Sequence, residues 1–239
     1  MSLKKLGVAL LAVFVLGAIA ANSAFAAAEY KETGGAWYTG ASPGTKLPEG
    51  QTRVLTTTAM GEKQTLKTTV GTTPLDITAT VVNCLSCVIK NVGTTATIDG
   101  KLEFKSVTVT EPKGCSVAGG VVTTNALTAV LGMNTAGTVA TIKFSPETGA
   151  TFALVTLEGK ECPISGTYKV TGTQYAQANN ATGVFAKSQG ITLNQEIQEK
   201  ASGVANALKF GENPAVLTGA LSAKVFNAEV EQEWAGKEK

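Results

Sequence analysis

The sequence has no histidine in its 239 residues. That removes Ser-His-Asp and Cys-His activation of a nucleophile, and it removes the commonest zinc and copper ligand. Aspartate is nearly missing: Asp76 and Asp99 stand alone in separate segments, with no D-x-D spacing. Calcium cages of the EF-hand kind need several oxygen ligands close together, so that route is closed. Arg53 is the only arginine, and the lysines are scattered. Arginine forks are the usual grip on phosphate and nucleic-acid binders cluster positive charge, so the composition argues against nucleic acid as a partner. Neither G-x-G-x-x-G opening a helix nor G-x-x-x-x-G-K-[ST] occurs. Paired glutamates of the glycosidase kind form in space rather than in sequence; nothing marks any Glu here, and each reads as solvated surface. The expectation is a protein that is not an enzyme and carries no cofactor and no metal.

What is present begins with an export signal. Met1–Lys5 is a short basic stretch, Leu6–Ala21 is an uncharged apolar run of 16 residues, and Ala24-Phe25-Ala26 is a small-x-small cleavage site. This is the three-part layout of a secretory signal peptide, and the run is shorter than the roughly 20 residues an uncleaved anchor needs. No cysteine directly follows the run, which argues against lipid attachment, and no later segment is apolar for long enough to span a membrane as a helix. The expected organisation is a signal peptide over 1–26, a Gly-rich arm over 27–48, one β domain over 49–228 and a charged tail over 229–239 that frays. The mature chain is then secreted or cell-surface associated, with no membrane contact after signal cleavage. Without Lys4 and Lys5 it carries 18 basic against 18 acidic side chains, so it is formally neutral.

The rest of the chain reads as β-structure. It is rich in Thr, Val, Ala and Gly, and short alternating segments recur between Gly, Pro and Asn. Strands are expected over Gln51–Thr58, Gln64–Val70, Pro74–Val82, Gly120–Val130, Thr138–Phe144, Thr151–Leu157, Ile164–Gly172, Asn206–Phe210 and Val216–Phe226. Asp99-Gly100 after Ala96-Thr97-Ile98 is the strongest short hairpin signal. Beyond it, Leu102 and Phe104 face one way and Val107 and Val109 the other, which calls for a β-bulge near Lys105-Ser106. Gly190–Gln198 fits both a strand and part of a helix running to Leu208; Gly203 interrupts the helix, so the strand is preferred. Roughly ten strands without intervening helices imply an all-β, antiparallel sandwich or barrel. No Pro/Ser-rich linker divides the chain, which favours one domain over two.

Four cysteines remain: Cys84, Cys87, Cys115 and Cys162. In an exported protein they form a disulfide framework with three connectivities open. Redox Cys-x-x-Cys motifs open a helix that lowers the thiol pKa, whereas Cys84-x-x-Cys87 lies in a strand-like run. A zinc site would need all four thiolates at a spacing unlike a zinc ribbon. The pairing expected is Cys84 with Cys87, and Cys115 with Cys162, because the latter two both stand at loop-to-strand junctions. A different feature is "ETGGAWYTGASPG", Glu32 to Gly44. Its Trp37 and Tyr38 read first as a cap on the sheet edge or core, and second as an exposed contact for a glycan or partner.

Three stretches, "EPKGCSVAGGVVTTNAL" (Glu111–Leu127), "FSPETGATFALVTLEGKECPISGTYKVTG" (Phe144–Gly172) and "LKFGENPAVLTG" (Leu208–Gly219), resemble a set of exported β-rich proteins of soil actinobacteria. The resemblance implies an exported β fold and no particular activity. In that set another cysteine often stands near the position of Phe104-Lys105-Ser106; its absence here departs from the pattern and detaches Cys84 and Cys87 from any carried-over pairing.

Two functions of different class follow. The leading one is a non-catalytic structural, adhesive or interaction module of the cell surface or surroundings, whose partner would be a cell-wall or extracellular glycan or a protein. The alternative is a secreted small-ligand or carbohydrate binder that uses a barrel interior or Trp37 and Tyr38. A hydrolase working with carboxylates alone ranks below both.

Overall fold

The computed structural model describes residues 30–32, 35–61, 63–204 and 207–238; the expected signal peptide, 1–26, lies outside them. Strands β1 (Gly35–Thr39) and β2 (Thr45–Lys46) come from the Gly-rich arm. β3 (Thr52–Ala59), β4 (Gln64–Val70) and β5 (Thr73–Ala79) precede a long hairpin of β6 (Val81–Val92) and β7 (Thr95–Lys105). β8 (Thr108–Glu111), β9 (Ser116–Val117) and β10 (Val121–Thr123) are short. Next come β11 (Leu127–Met133), β12 (Val139–Pro146), β13 (Thr151–Glu158), β14 (Gly166–Gly172), β15 (Gln174–Ala181) and β16 (Ser188–Leu193). Helix α1 (Gln195–Ser202) leads to β17 (Leu208–Phe210), β18 (Asn213–Asn227), β19 (Val230–Gln232) and β20 (Trp234–Glu238).

Every pairing of these strands is antiparallel, and the fold is all-β as the alternation implied. Following the ladders from β3 through β6, β7, β11, β12, β15, β16 and β18 returns to β3, which closes an eight-stranded barrel. Closure leaves these strands no free edge. Inward residues alternate along each strand as the pleat requires: Leu55 and Thr57 on β3, Cys87, Ile89 and Asn91 on β6, and Ile191 and Leu193 on β16 are all buried. A second sheet runs β8–β5–β4–β18–β17–β14–β13–β9. β18 belongs to both: Ala215–Thr218 pair with β4, and Leu221–Phe226 pair with β3. At the changeover Gly219 has φ 143°, and a β-carbon there would overlap the Gln64 amide. Only glycine fits such a position.

A small sheet, β2–β1–β20, packs through β1 against the barrel strands β6, β7 and β11. Gly35–Thr39 pair residue by residue with Glu238–Trp234, so the charged tail that was expected to fray is a strand. The reason is Trp234, only 2% exposed, whose ring lies 5.6 Å from that of Trp37 inside the core. One indole pair fastens both ends of the described chain to the barrel.

Three other expectations are corrected. Asp99-Gly100 is no hairpin: β7 runs straight through it, paired with β6 and β11. Gly100 is there because Cys87 presses against it, where a β-carbon would collide with the sulfur. The kink near Lys105-Ser106 exists, but as a break between β7 and β8 at Ser106, φ 52°, after which the chain joins β5 instead. The ladder bulge falls between Leu85 and Val88, on the strand that carries the close disulfide. Finally, Gly190–Gln198 is strand only to Leu193. The Asn194 side chain then accepts the Ile197 N–H at 2.7 Å and starts α1, and Gly203 closes it in the left-handed conformation at φ 69°. Both are standard helix caps.

The cysteines pair as expected, Cys84 with Cys87 and Cys115 with Cys162, at Cα separations of 5.5 and 4.5 Å. No free cysteine remains among the described residues. The Cys115–Cys162 bond ties the entry of β9 to the loop between β13 and β14, at the end of the second sheet away from the barrel.

Candidate functional site

Where the barrel passes into the second sheet, the inward side chains do not meet. They leave a chamber of about 70 Å³ that opens to solvent. Protein interiors normally hold few voids larger than a water molecule, so a space of this size stands out.

Strand alternation accounts for its walls. Gln64 and Leu66 project from β4, Ile77 and Ala79 from β5, Val170 from β14 and Leu217 from β18. On β13, Phe152 and Ala153 both face in, because a register shift between Thr151 and Ala153 breaks the alternation there. Phe104, Val107 and Val122 close the side left open by the sheet. None of the 15 lining residues is ionisable. Charge would be costly in such a wall, since nothing there could pair with it.

Three polar side chains interrupt the apolar surface, and two of them have a partner in the protein. The Gln64 amide donates to the Ala220 carbonyl at 2.8 Å. The Thr124 hydroxyl accepts the Leu102 N–H at 2.9 Å. Gln174 differs. It is 2% exposed and its Nε2 donates to the Tyr175 carbonyl at 2.8 Å, while its Oε1 has no partner. Buried side-chain polar atoms are nearly always hydrogen-bonded; the other two exceptions among the described residues are Thr97 Oγ1 and Trp234 Nε1.

The start of β15, which carries Gln174, is held from outside the chamber. Gln198 on α1 accepts the Tyr175 N–H at 2.8 Å and donates to the Thr173 carbonyl at 3.0 Å. Ile197 and Ala201 cover Tyr175, and Tyr30 meets its ring edge-on at 5.3 Å. Burial pushes both tyrosine hydroxyls above their ordinary range, with Glu32 nearby adding to the effect. The capped helix therefore acts as a clamp on the strand that carries Gln174.

The residues singled out from the sequence lie elsewhere. Trp37 is not an exposed contact: it is 2% exposed, and its indole N–H donates to the Thr97 carbonyl at 2.9 Å. Its first reading, a cap on the core, is the one realised. Tyr38 is half-buried, with the Lys237 ammonium 4.7 Å from its ring centre. A lesser cavity of about 20 Å³ lies between Trp37, Trp234, Asn180 and Gln189 inside the barrel. Cys84 and Cys87 border a recess of about 10 Å³, and Cys115 and Cys162 border none of these spaces. No cluster of three or more His, Cys, Asp or Glu side chains comes together among the described residues. None of the described helices is long and apolar enough to cross a membrane.

Gln64 and Gln174 had one signal in the sequence, a polar residue in the inward phase of an otherwise apolar strand. For Gln64 the alternation with Leu66 displays it; for Gln174 the strand itself was not expected. Compared with known proteins, the chain matches no family model, no curated protein and no solved structure.

Proposed function

We propose that the protein is an exported, non-catalytic binder of small apolar molecules, which it takes into the chamber between the barrel and the second sheet. The observation that carries this is the chamber itself: uncharged, lined by apolar side chains, and open to solvent. Two disulfides fit an oxidising compartment, in keeping with export. The wall supplies no ionisable side chain for acid–base chemistry, which favours binding over turnover.

The alternatives draw less support. A glycan contact at Trp37 loses its basis, since the indole is in the core. For a surface-interaction module, the nearest feature is Val81 and Val121, 40% and 39% exposed, placed on either side of Lys105. Docking surfaces are contiguous apolar patches of a few hundred Å² or more, and a lysine divides this one.

The test is titration of the mature protein with toluene and with naphthalene, read by calorimetry and by thermal unfolding. Saturable binding of at least one is expected, and a ligand at about a hundred times its Kd should add roughly 2.7 kcal/mol of stability. Ala79→Leu, which fills the chamber, should abolish binding and leave the protein folded. Absence of binding to the unaltered protein, or binding that survives Ala79→Leu, would overturn the reading.

A further inference from the structure

We infer that the chamber selects neutral apolar molecules bearing one hydrogen-bond donor, a hydroxyl or an N–H, which Gln174 Oε1 receives. This rests on the proposal that the chamber is a binding site, and adds the chemistry of what it takes.

The assignment of oxygen and nitrogen on Gln174 follows from its surroundings. The Tyr175 carbonyl can only accept, so the atom 2.8 Å from it is the donor Nε2, and the remaining atom is the acceptor. That acceptor is buried without a partner on a residue that lines the chamber. Its position is fixed in advance: Nε2 is tied to the main chain, and Gln198 ties that main chain to α1. A receptor group already held in its bound geometry loses little freedom on binding.

The complementary group is then set by elimination. Gln64 Nε2 donates to the Ala220 carbonyl and Thr124 Oγ1 accepts the Leu102 N–H; the buried polar atom of the wall that has no partner is an acceptor, so the group that meets it must donate. An ether, ketone or ester offers only acceptors and leaves Oε1 unmatched. A carboxylate or phosphate would bring a negative charge against lone pairs, and an ammonium would find no counter-charge, because the wall has no ionisable residue. Neutral alcohols, phenols and indole-like molecules satisfy every condition. Fatty acids in their ionised form do not.

A buried group left unpaired is penalised more than a made bond is rewarded, so removal of the acceptor should change donor selectivity by about tenfold. The experiment uses phenol and toluene, which differ by hydroxyl against methyl, with benzoate as the charged comparison. On the unaltered protein phenol and toluene should both bind and benzoate should not. In Gln174→Met, toluene affinity should hold while phenol weakens about tenfold. A second measurement needs no variant: the Gln174 Cδ carbon resonance should move downfield with phenol and stay in place with toluene. If both ligands bind, yet their ratio is the same in Gln174→Met and the Cδ resonance ignores phenol, donor selection is overturned and the binding site stands. Benzoate binding as tightly as phenol would have the same meaning. If neither phenol nor toluene binds the unaltered protein, both proposals fall. Should Gln174→Met fail to fold, the carbon resonance decides.

Discussion

Asn91 holds Trp37 by both of its main-chain polar groups, accepting its N–H at 2.8 Å and donating to its carbonyl at 3.1 Å. The same Asn91 amide donates to the Leu47 carbonyl at 2.7 Å. One inward side chain on β6 thus satisfies the backbone of the Gly-rich arm. Asn91→Ala leaves buried main-chain groups without partners, at about 1–3 kcal/mol each before relaxation. A loss of about 3 kcal/mol is expected, or roughly 6–12 °C in Tm for a chain of this size. Calorimetry read beside tryptophan emission checks it. An unchanged Tm with an unchanged indole spectrum would mean that the arm is held by packing alone.

Gly100 offers a separate test on the barrel wall. Its φ of 154° and its closeness to Cys87 both oppose a side chain. Gly100→Ala should cost about 2–4 kcal/mol through overpacking and backbone strain together. The Cα of Cys87 would also lie only 2.8 Å from the new β-carbon, so Cys84→Ala/Cys87→Ala should not rescue it. Urea unfolding of the single and triple variants measures this, and full rescue would place the whole cost on the sulfur.

The two disulfides should contribute unequally. Cys115–Cys162 spans a sequence separation of 47 and Cys84–Cys87 one of 3. In the chain-entropy model these loops stabilise by about 4 and about 2 kcal/mol. Replacing each pair by Ala should therefore lower Tm more for Cys115 and Cys162. Equal effects would refute the entropic ranking without touching the pairing.

These positions also mark how far the sequence could be read. The all-β class, the disulfide partners and most strands from Gln51 to Leu157 were legible, because alternation and Gly punctuation are local signals. Asp99-Gly100 misled, because glycine meets two different needs, a turn and a close approach, and the second depends on a partner strand. The strand Gln174–Ala181 was not legible at all. "QYAQANNA" has poor intrinsic strand preference, and its conformation is imposed by pairing with β12 and β16. The chamber's free oxygen sits on that strand, so the candidate site was hidden along with it. Trp234 was hidden for a related reason: a charged terminal segment looks loose until its one indole finds Trp37.

High pH supplies a further prediction. Burial raises the hydroxyl of Tyr30 and that of Tyr175 above their ordinary value. Unfolded tyrosines begin to ionise near pH 10, while these two keep their protons in the folded protein. The unfolded state then binds fewer protons, so stability is intact below about pH 10 and falls as pH rises above it. Tyr30→Phe should flatten that fall between about pH 9 and about pH 11. The measurement is Tm against pH for the two proteins; parallel curves would show that Tyr30 takes no part.

β18 has a last consequence. It is a stave of the barrel and, through its first half, the middle of the second sheet, and no other strand can take its place in either. The chain is therefore indivisible: no cut leaves two pieces that each own a complete sheet. A fragment ending before Asn213 would lose the closure of the barrel and the centre of the second sheet together. The chamber shares that fate, since its wall is drawn from both sides of the seam. Heat should not widen it by loosening a lid, and its wall should be lost only when the whole molecule comes apart.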